Sequence, residues 1–253
     1  MKLIIRGKYL FDLFEEADGL REKSKLIIAQ LLKIVGIKKE TTVKFKSGTF
    51  TFLAGTGEFG PFYEIFKTEC YHLYMPQFMP HEGTTILDIG ANIGCYSVYA
   101  SKRNKTGVIY SFEPSPDTYK RLLKNISNNR ITNVKAFNIG FWNKTAELKF
   151  KTTGNSTRNY ISDDGEIVVN VDTLDNFTKR NDIKAIDMIK LDAEFAESEI
   201  IEGAPSTLRR SRNIVLEYHS ELSKKKVTQM LIDSGFIKAA ENDNLLFFSR
   251  NKS

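Results

Sequence analysis

The stretch Asp88-Ile89-Gly90-Ala91-Asn92-Ile93-Gly94 constrains this 253-residue chain more than any other. A run of mostly apolar residues, 84–89, stops at it, and an amphipathic stretch, 93–103, starts from it. The first reads as a buried strand and the second as a helix, joined by a glycine turn. The pattern repeats with a strand over 108–112, a helix over 115–128 that carries Pro116 in its first turn, and a third strand over 134–139. Strand, helix and strand in succession predict right-handed βαβ units around a parallel sheet.

The rhythm then pauses. Residues 146–150 and 167–171 predict paired strands around the polar stretch 152–165. Its turn residues, Gly154-Asn155-Ser156 and Asp163-Asp164-Gly165, suit a loop or hairpin able to move. A short helix over 174–179, a strand over 186–191, a helix over 196–210, a strand over 214–218 and a helix over 222–234 follow. Residues 236–239 and 245–248 close the chain as an antiparallel hairpin at the sheet edge. The expected fold of residues 81–253 is therefore α/β, a doubly wound and mostly parallel sheet with an antiparallel C-terminal edge hairpin.

Residues 1–80 differ in texture and predict an N-terminal α+β cap. A helix over 24–35 ends at Gly36, and 42–45 pairs with 49–52 around Ser47-Gly48. Phe59, Phe62, Tyr63, Phe66, Tyr71, Tyr74 and Phe78 crowd the next twenty residues. They suit either a helical cap packed on the α/β domain or the aromatic wall of an acceptor pocket.

Composition narrows the function classes. Apolar residues at 41% and charged residues at 27% are ordinary globular usage and argue against disorder. The net charge of +6 is spread thinly, and its densest runs, 102–105, 209–212 and 224–226, fall at helix ends or on outer helix faces. Solvated surface is the ordinary role of such runs, so charge alone names no partner. No apolar run reaches the roughly 18 residues of a membrane span; the best, 26–35, is broken by Gln30 and Lys33. The first six residues lack the apolar core of a signal peptide, so a soluble cytoplasmic protein is expected. Cys70 and Cys95 fit neither a disulfide framework nor a zinc motif, and read as free thiols.

The glycine turn carries the chemistry. Its G-x-x-x-G spacing is neither the G-x-G-x-x-G of a dinucleotide site nor a phosphate loop ending in Gly-Lys-Ser/Thr. Asp88 in front of Gly90 would repel a pyrophosphate and suits an amine. Glu113 ends the next strand, 25 positions after Asp88, where a carboxylate can accept hydrogen bonds from both hydroxyls of a ribose. An adenosine that carries an amino acid in place of phosphates satisfies both groups, and that ligand is S-adenosyl-L-methionine. Asp88, Gly90, Asn92, Gly94 and Glu113 are the expected cofactor residues. Asn138, at the end of the third strand, is placed to meet the adenine or the acceptor side of the cofactor.

In these segments the chain resembles the FkbM-type S-adenosylmethionine-dependent methyltransferases, which are class I and Rossmann-like. The resemblance rests on 86–94, on Phe112-Glu113-Pro114 and on Val171-Asp172-Thr173-Leu174-Asp175. Ile189-Lys190-Leu191-Asp192-Ala193-Glu194 and Leu216-Glu217-Tyr218-His219 complete it. It implies methyl transfer to a hydroxyl of a sugar, glycan, polyketide or similar small natural product. One position departs: Phe195 stands where such families usually carry glycine after the Asp-x-Glu pair. A bulky aromatic there narrows the site or changes the acceptor.

A doubly wound sheet binds ligands beyond the carboxyl ends of its strands. Asp192 and Glu194 follow one strand there, and Glu217 and His219 follow another. An imidazole with its ordinary pKa near 6.5 is mostly neutral at pH 7, which makes His219 the candidate general base. Asp192 is the alternative base or orients the histidine, and Glu194 and Glu217 are acceptor-binding candidates. The same four residues offer oxygen and nitrogen to a divalent ion, but topology alone assigns no metal ligand. An RNA methyltransferase would need an Asn-Pro-Pro-Tyr motif or a paired-cysteine mechanism; neither is present, which argues against a nucleic acid partner. A non-catalytic subunit that keeps the fold is the other alternative.

Overall fold

The computed structural model describes residues 2–250 apart from Leu73, Tyr74 and Asn155, so the expectations for Tyr74 and Asn155 lie outside the described residues. Helices α1 (Lys2–Glu16) and α2 (Leu20–Ile34) open the chain. The hairpin β1 (Lys39–Phe45) and β2 (Gly48–Ala54) and helix α3 (Phe59–Phe66) follow. The sequence reading anticipates no helix as early as α1. Tertiary contacts hold it: Tyr9 meets Tyr63 edge to face, and the Tyr63 hydroxyl donates to Asp12 at 3.1 Å.

The βαβ units form as expected from β3 (Thr85–Ile89), α4 (Cys95–Arg103), β4 (Val108–Phe112), α5 (Pro116–Asn128) and β5 (Val134–Phe137). The pause in the rhythm is a second sheet of β6 (Gly140–Phe141), β7 (Ala146–Lys151), β8 (Tyr160–Ile161) and β9 (Ile167–Asp172), in the order β6-β9-β7-β8. Next come α6 (Leu174–Arg180), β10 (Ile186–Leu191), α7 (Glu197–Glu202) and α8 (Pro205–Arg209). β11 (Ser211–Glu217), α9 (Glu221–Asp233), β12 (Ile237–Asn242) and β13 (Leu245–Ser249) finish the chain.

The single helix expected over 196–210 is two. Pro205 cannot donate to a continuing helix and instead opens α8, whose next two N–H groups, of Ser206 and Thr207, donate to Asp175 at 2.8 and 2.6 Å.

The main sheet runs β12-β13-β11-β10-β3-β4-β5, with β11 to β5 parallel and the C-terminal hairpin antiparallel at the edge. Alternate residues bury on opposite faces. Ile86, Met188, Val215 and Phe247 join one apolar cluster, whereas Leu87, Ile189, Leu216 and Phe248 join another. A sheet covered on both faces explains why its strands read as nearly unbroken apolar runs. The first cluster continues into the N-terminal elements, where Phe45 stacks on Phe62 and Phe52 on Phe59. Asn125 of α5 pins the hairpin by exchanging hydrogen bonds with the Thr51 backbone.

From β3 the chain winds first through β4 and β5, then returns to add β10 and β11 on the other side, so strand order switches between β3 and β10. Ile89 pairs with Leu191 and with Phe112, and Leu191 pairs with Leu216. The residues one step further, Gly90, Asp192, Glu113 and Glu217, therefore emerge together beyond the same edge.

Candidate active site

A cavity of about 740 Å³ opens at this switch point. It is walled by the ends of β3, β4, β10 and β11, by α3, and by residues of the 152–165 stretch. Gly90 has φ 73°, and a Cβ there would lie 1.7 Å from the carbonyl oxygen of Asp192. Its missing side chain thus makes room for the turn after β10 as well as for a ligand. Gly94 opens α4 at φ 85° and does not line the cavity; a Cβ there would strike Leu122 of α5.

Glu113 lines the cavity while its carboxylate accepts the Asn92 N–H at 3.0 Å and the Ser115 N–H at 2.9 Å. Burial pushes its carboxyl up to about 7 against the pull of those two donors. Asn92, at φ 51°, also faces the cavity. Its side-chain oxygen accepts from the Ile93 N–H and from Ser156, which ties the 152–165 stretch to the glycine turn.

Besides Gly94, two expected cofactor residues sit elsewhere. Asp88 is fully buried and does not line the cavity; it accepts from Ser97 at 2.6 Å and lies 3.4 Å from the Lys190 ammonium. Strand alternation explains this, because Asp88 points to the face covered by α4. Asn138 donates to the Glu113 and Pro114 carbonyls at 2.8 and 2.9 Å, so it braces the segment behind Glu113 while Ile139 and Gly140 line the cavity.

The remaining four candidates converge. His219 Nδ1 lies 2.7 Å from Glu197 Oε1, and Glu197 is wholly buried with its other oxygen accepting from Ser223. A carboxylate in that position fixes the tautomer with its proton on Nδ1. Nε2 faces Glu194 at 3.4 Å, Asp192 at 3.8 Å and Glu217 at 3.9 Å. Burial would push the imidazole down, but the Glu197 hydrogen bond and the facing Asp192 and Glu194 carry it up to about 9. His219 is consequently protonated at pH 7 in the free protein, contrary to the expected neutral base. Burial lifts the carboxyls of Glu194 and Glu217 to about 7 each, with Asp192 adding to both and His219 opposing.

Lys190 and Glu197 escape the sequence reading, and Tyr71 enters it only as one of the aromatic run. Lys190 is almost fully buried in β10, donates to the Gly90 carbonyl at 2.9 Å and lies 3.6 Å from Asp192. Asp88, Asp192 and Glu217 outweigh burial and hold it protonated. Its signal was a lone lysine inside an apolar strand. Tyr71 brings its hydroxyl to 3.3 Å from Asp192 and 3.1 Å from Glu217, and is the one member of the aromatic run at the cavity among the described residues. Phe59, Phe62 and Phe66 pack into the core instead. Glu197 was hidden in a helix start, with nothing local to mark it.

Phe195 has φ 74°, the left-handed region that favours glycine, and Glu194 before it has φ 42°. The Phe195 ring is half exposed and lies 5.4 Å from the His219 ring and 6.0 Å from Tyr160, at the cavity's rim. Asp192, Glu194 and His219 each bring a donor atom within 4.8 Å of one another, a set a divalent ion could share. Lys190 already neutralises part of it.

The FkbM methyltransferase domain matches residues 88–241. The chain is 24% identical to hexuronic acid methyltransferase AglP of Haloferax volcanii, a match over 60% of this chain and 63% of that protein. It is 25% identical to 31-O-demethyl-FK506 methyltransferase FkbM of Streptomyces tacrolimicus, over 81% of this chain and 92% of that one. For 2-O-methyltransferase NoeI of Sinorhizobium fredii the figures are 24%, 54% and 63%. The matches to AglP and NoeI thus span less than two thirds of those proteins. Because the domain match extends over more than half of its length, the chain belongs to the FkbM methyltransferase family.

Proposed function

We propose that the protein is an S-adenosylmethionine-dependent O-methyltransferase whose acceptor is a hydroxyl of a sugar, glycan or other small natural product. The observation that carries the reading is the cavity at the strand switch point. One part of its wall holds Gly90, Asn92 and Glu113, and another gathers Asp192, Glu194, Glu217 and His219. Glu113 retains acceptor capacity beyond its two backbone donors, which suits ribose hydroxyls. Lys190 offers a protonated ammonium and Asn92 its turn to an amino-acid group.

When bound, the cofactor supplies a methyl group on a sulfonium, so the protein's task is alignment and proton removal. His219, held at about 9 in the protein alone, would lose its proton more readily beside a cationic cofactor held by Gly90, Asn92 and Glu113. The freed Nε2 then takes the acceptor's proton, while Glu197 holds Nδ1–H and stabilises the imidazolium that forms. Asp192, Glu194 and Glu217 accept hydrogen bonds from the acceptor's other hydroxyls. In this reading residues 1–80 form a cap over the 81–253 catalytic domain and contribute Tyr71 to its site.

AglP, by its name, methylates a hexuronic acid and NoeI a 2-oxygen; the first supports a sugar acceptor and the second transfer to oxygen. No observation favours RNA: Arg103, Lys224 and Lys226 of the basic runs are paired with Glu69, Glu241 and Glu202. No helix among the described residues is long and apolar enough to cross a membrane. The test is calorimetric titration with S-adenosylmethionine, S-adenosylhomocysteine and NAD, then radiolabelled methyl transfer to a panel of hydroxylated sugars and RNA. Binding of both sulfur nucleosides, not of NAD, with label on a sugar is expected. No binding, or label on RNA alone, would overturn the reading.

A further inference from the structure

An amine at the glycine turn has lost its expected partner, because Asp88 is turned into the fold and held there by Ser97 and Lys190. The Gly90 carbonyl already accepts from the protonated Lys190, and that cation repels a second one. An α-ammonium therefore needs another carboxylate. Among the described residues five carboxylates line the cavity. Glu113 accepts from two backbone N–H groups, Asp192 from Tyr71, and Glu217 from Tyr71 and Asn244, while Glu194 faces His219 at 3.4 Å. Glu64 alone of the five has no side-chain hydrogen bond or ion pair among the described residues.

Helical spacing brings Glu64 to the cavity. α3 turns Phe59, Phe62 and Phe66 into the core and Gly60, Pro61, Glu64 and Ile65, one helical turn apart, to the cavity. Glu64 is the one charged residue of that helix. α3 packs on α4, which starts directly after Gly94. At that start the Cys95 thiol is pushed up by burial and by the nearby Glu58, Asp88 and Glu64. Burial, with Asp192 adding, pushes the Glu64 carboxyl up, and the Lys190 ammonium opposes. Glu64 thus lies between α4's first residue and the lysine that holds Gly90.

We infer that Glu64 is the carboxylate that holds the α-ammonium of the cofactor's amino-acid group, a contact supplied by the N-terminal segment. The inference rests on the S-adenosylmethionine reading above and assigns that end of the ligand. Lys190 and Glu64 then offer unlike charges to the carboxylate and the ammonium of one zwitterion. Glu64 gives up no protein hydrogen bond on binding, and the ammonium restores the charge that burial disfavours.

The test is calorimetric titration of the full chain, wild type and Glu64→Gln, with S-adenosylmethionine, S-adenosylhomocysteine and methylthioadenosine. The last keeps the adenosine and lacks the amino-acid group. Glu64→Gln removes the charge without removing a protein contact, and Glu64→Ala is a second variant expected to act alike. Both variants are expected to bind the two amino-acid nucleosides at least about tenfold more weakly, and methylthioadenosine within about twofold of the wild type. Retained methylthioadenosine binding also shows that the variants are folded. Unchanged affinity for S-adenosylmethionine overturns the inference, and so does an equal loss for all three ligands, which would place Glu64 away from the amine. A wild type that binds none of the three overturns the proposed function itself, and this inference with it.

Discussion

His219 Nδ1 and Glu197 Oε1 stand 2.7 Å apart, with the carboxylate wholly buried and the far side of the imidazole turned to three further carboxylates. This pair sets the charge of the catalytic candidate. Glu197→Gln should lower His219 from about 9, as read by NMR titration of the ring. Turnover should fall by at least tenfold with cofactor affinity unchanged. In the wild type, activity should rise with pH through a midpoint below the 9 of the free protein, because the base must lose its proton.

Glu113 is held by two backbone donors and faces the cavity. Glu113→Ala should weaken S-adenosylmethionine binding by more than tenfold, about 1.4 kcal/mol or more, by calorimetry. Unchanged affinity would remove the ribose contact.

Phe195 holds a glycine-like φ of 74° while remaining half exposed. Phe195→Gly relieves a left-handed penalty of about 1–2 kcal/mol and gives back part of it as chain entropy. A net stabilisation of about 1 kcal/mol is expected in urea titration, together with a broader acceptor range. Loss of stability would mean that the ring's contacts with His219 and Tyr160 outweigh the strain.

Gly90 leaves no room for a methyl group against the Asp192 carbonyl. Gly90→Ala should cost at least about 2 kcal/mol in the same titration and abolish cofactor binding. A fully stable variant would show that the two turns move apart freely.

The site also sets a pH dependence of stability. Glu113, Glu194 and Glu217 are lifted to about 7 and His219 to about 9, so the folded chain binds more protons than the unfolded chain between the ordinary and lifted values. Stability should therefore fall as pH rises from 5 to 9. His219 contributes in full below about 6.5 and loses its contribution as pH passes 9. His219→Asn should flatten the upper part of that slope in urea midpoints measured across pH.

The parallel sheet was legible because strands buried on both faces must be apolar throughout and helices between them must be amphipathic. The turn at Gly90 was legible because its backbone needs glycine. Helix α1 was not, since its contacts with Tyr63 and the hairpin are remote in sequence. The break between α7 and α8 was announced by Pro205 but masked by the surrounding apolar pattern.

Sequence alone determined the layered α/β fold, the family segments and four strand-end residues, Asp192, Glu194, Glu217 and His219, that do meet. These follow from local rules: residue type, period, and position relative to a strand's end. Tertiary structure decided which of them share a charge. It turned Asp88 away from the cavity, set Asn138 to brace a loop, brought Tyr71 across from the N-terminal segment and placed Glu197 behind His219. Burial and the distances between groups far apart in the chain govern protonation, and neither quantity is written in the order of residues.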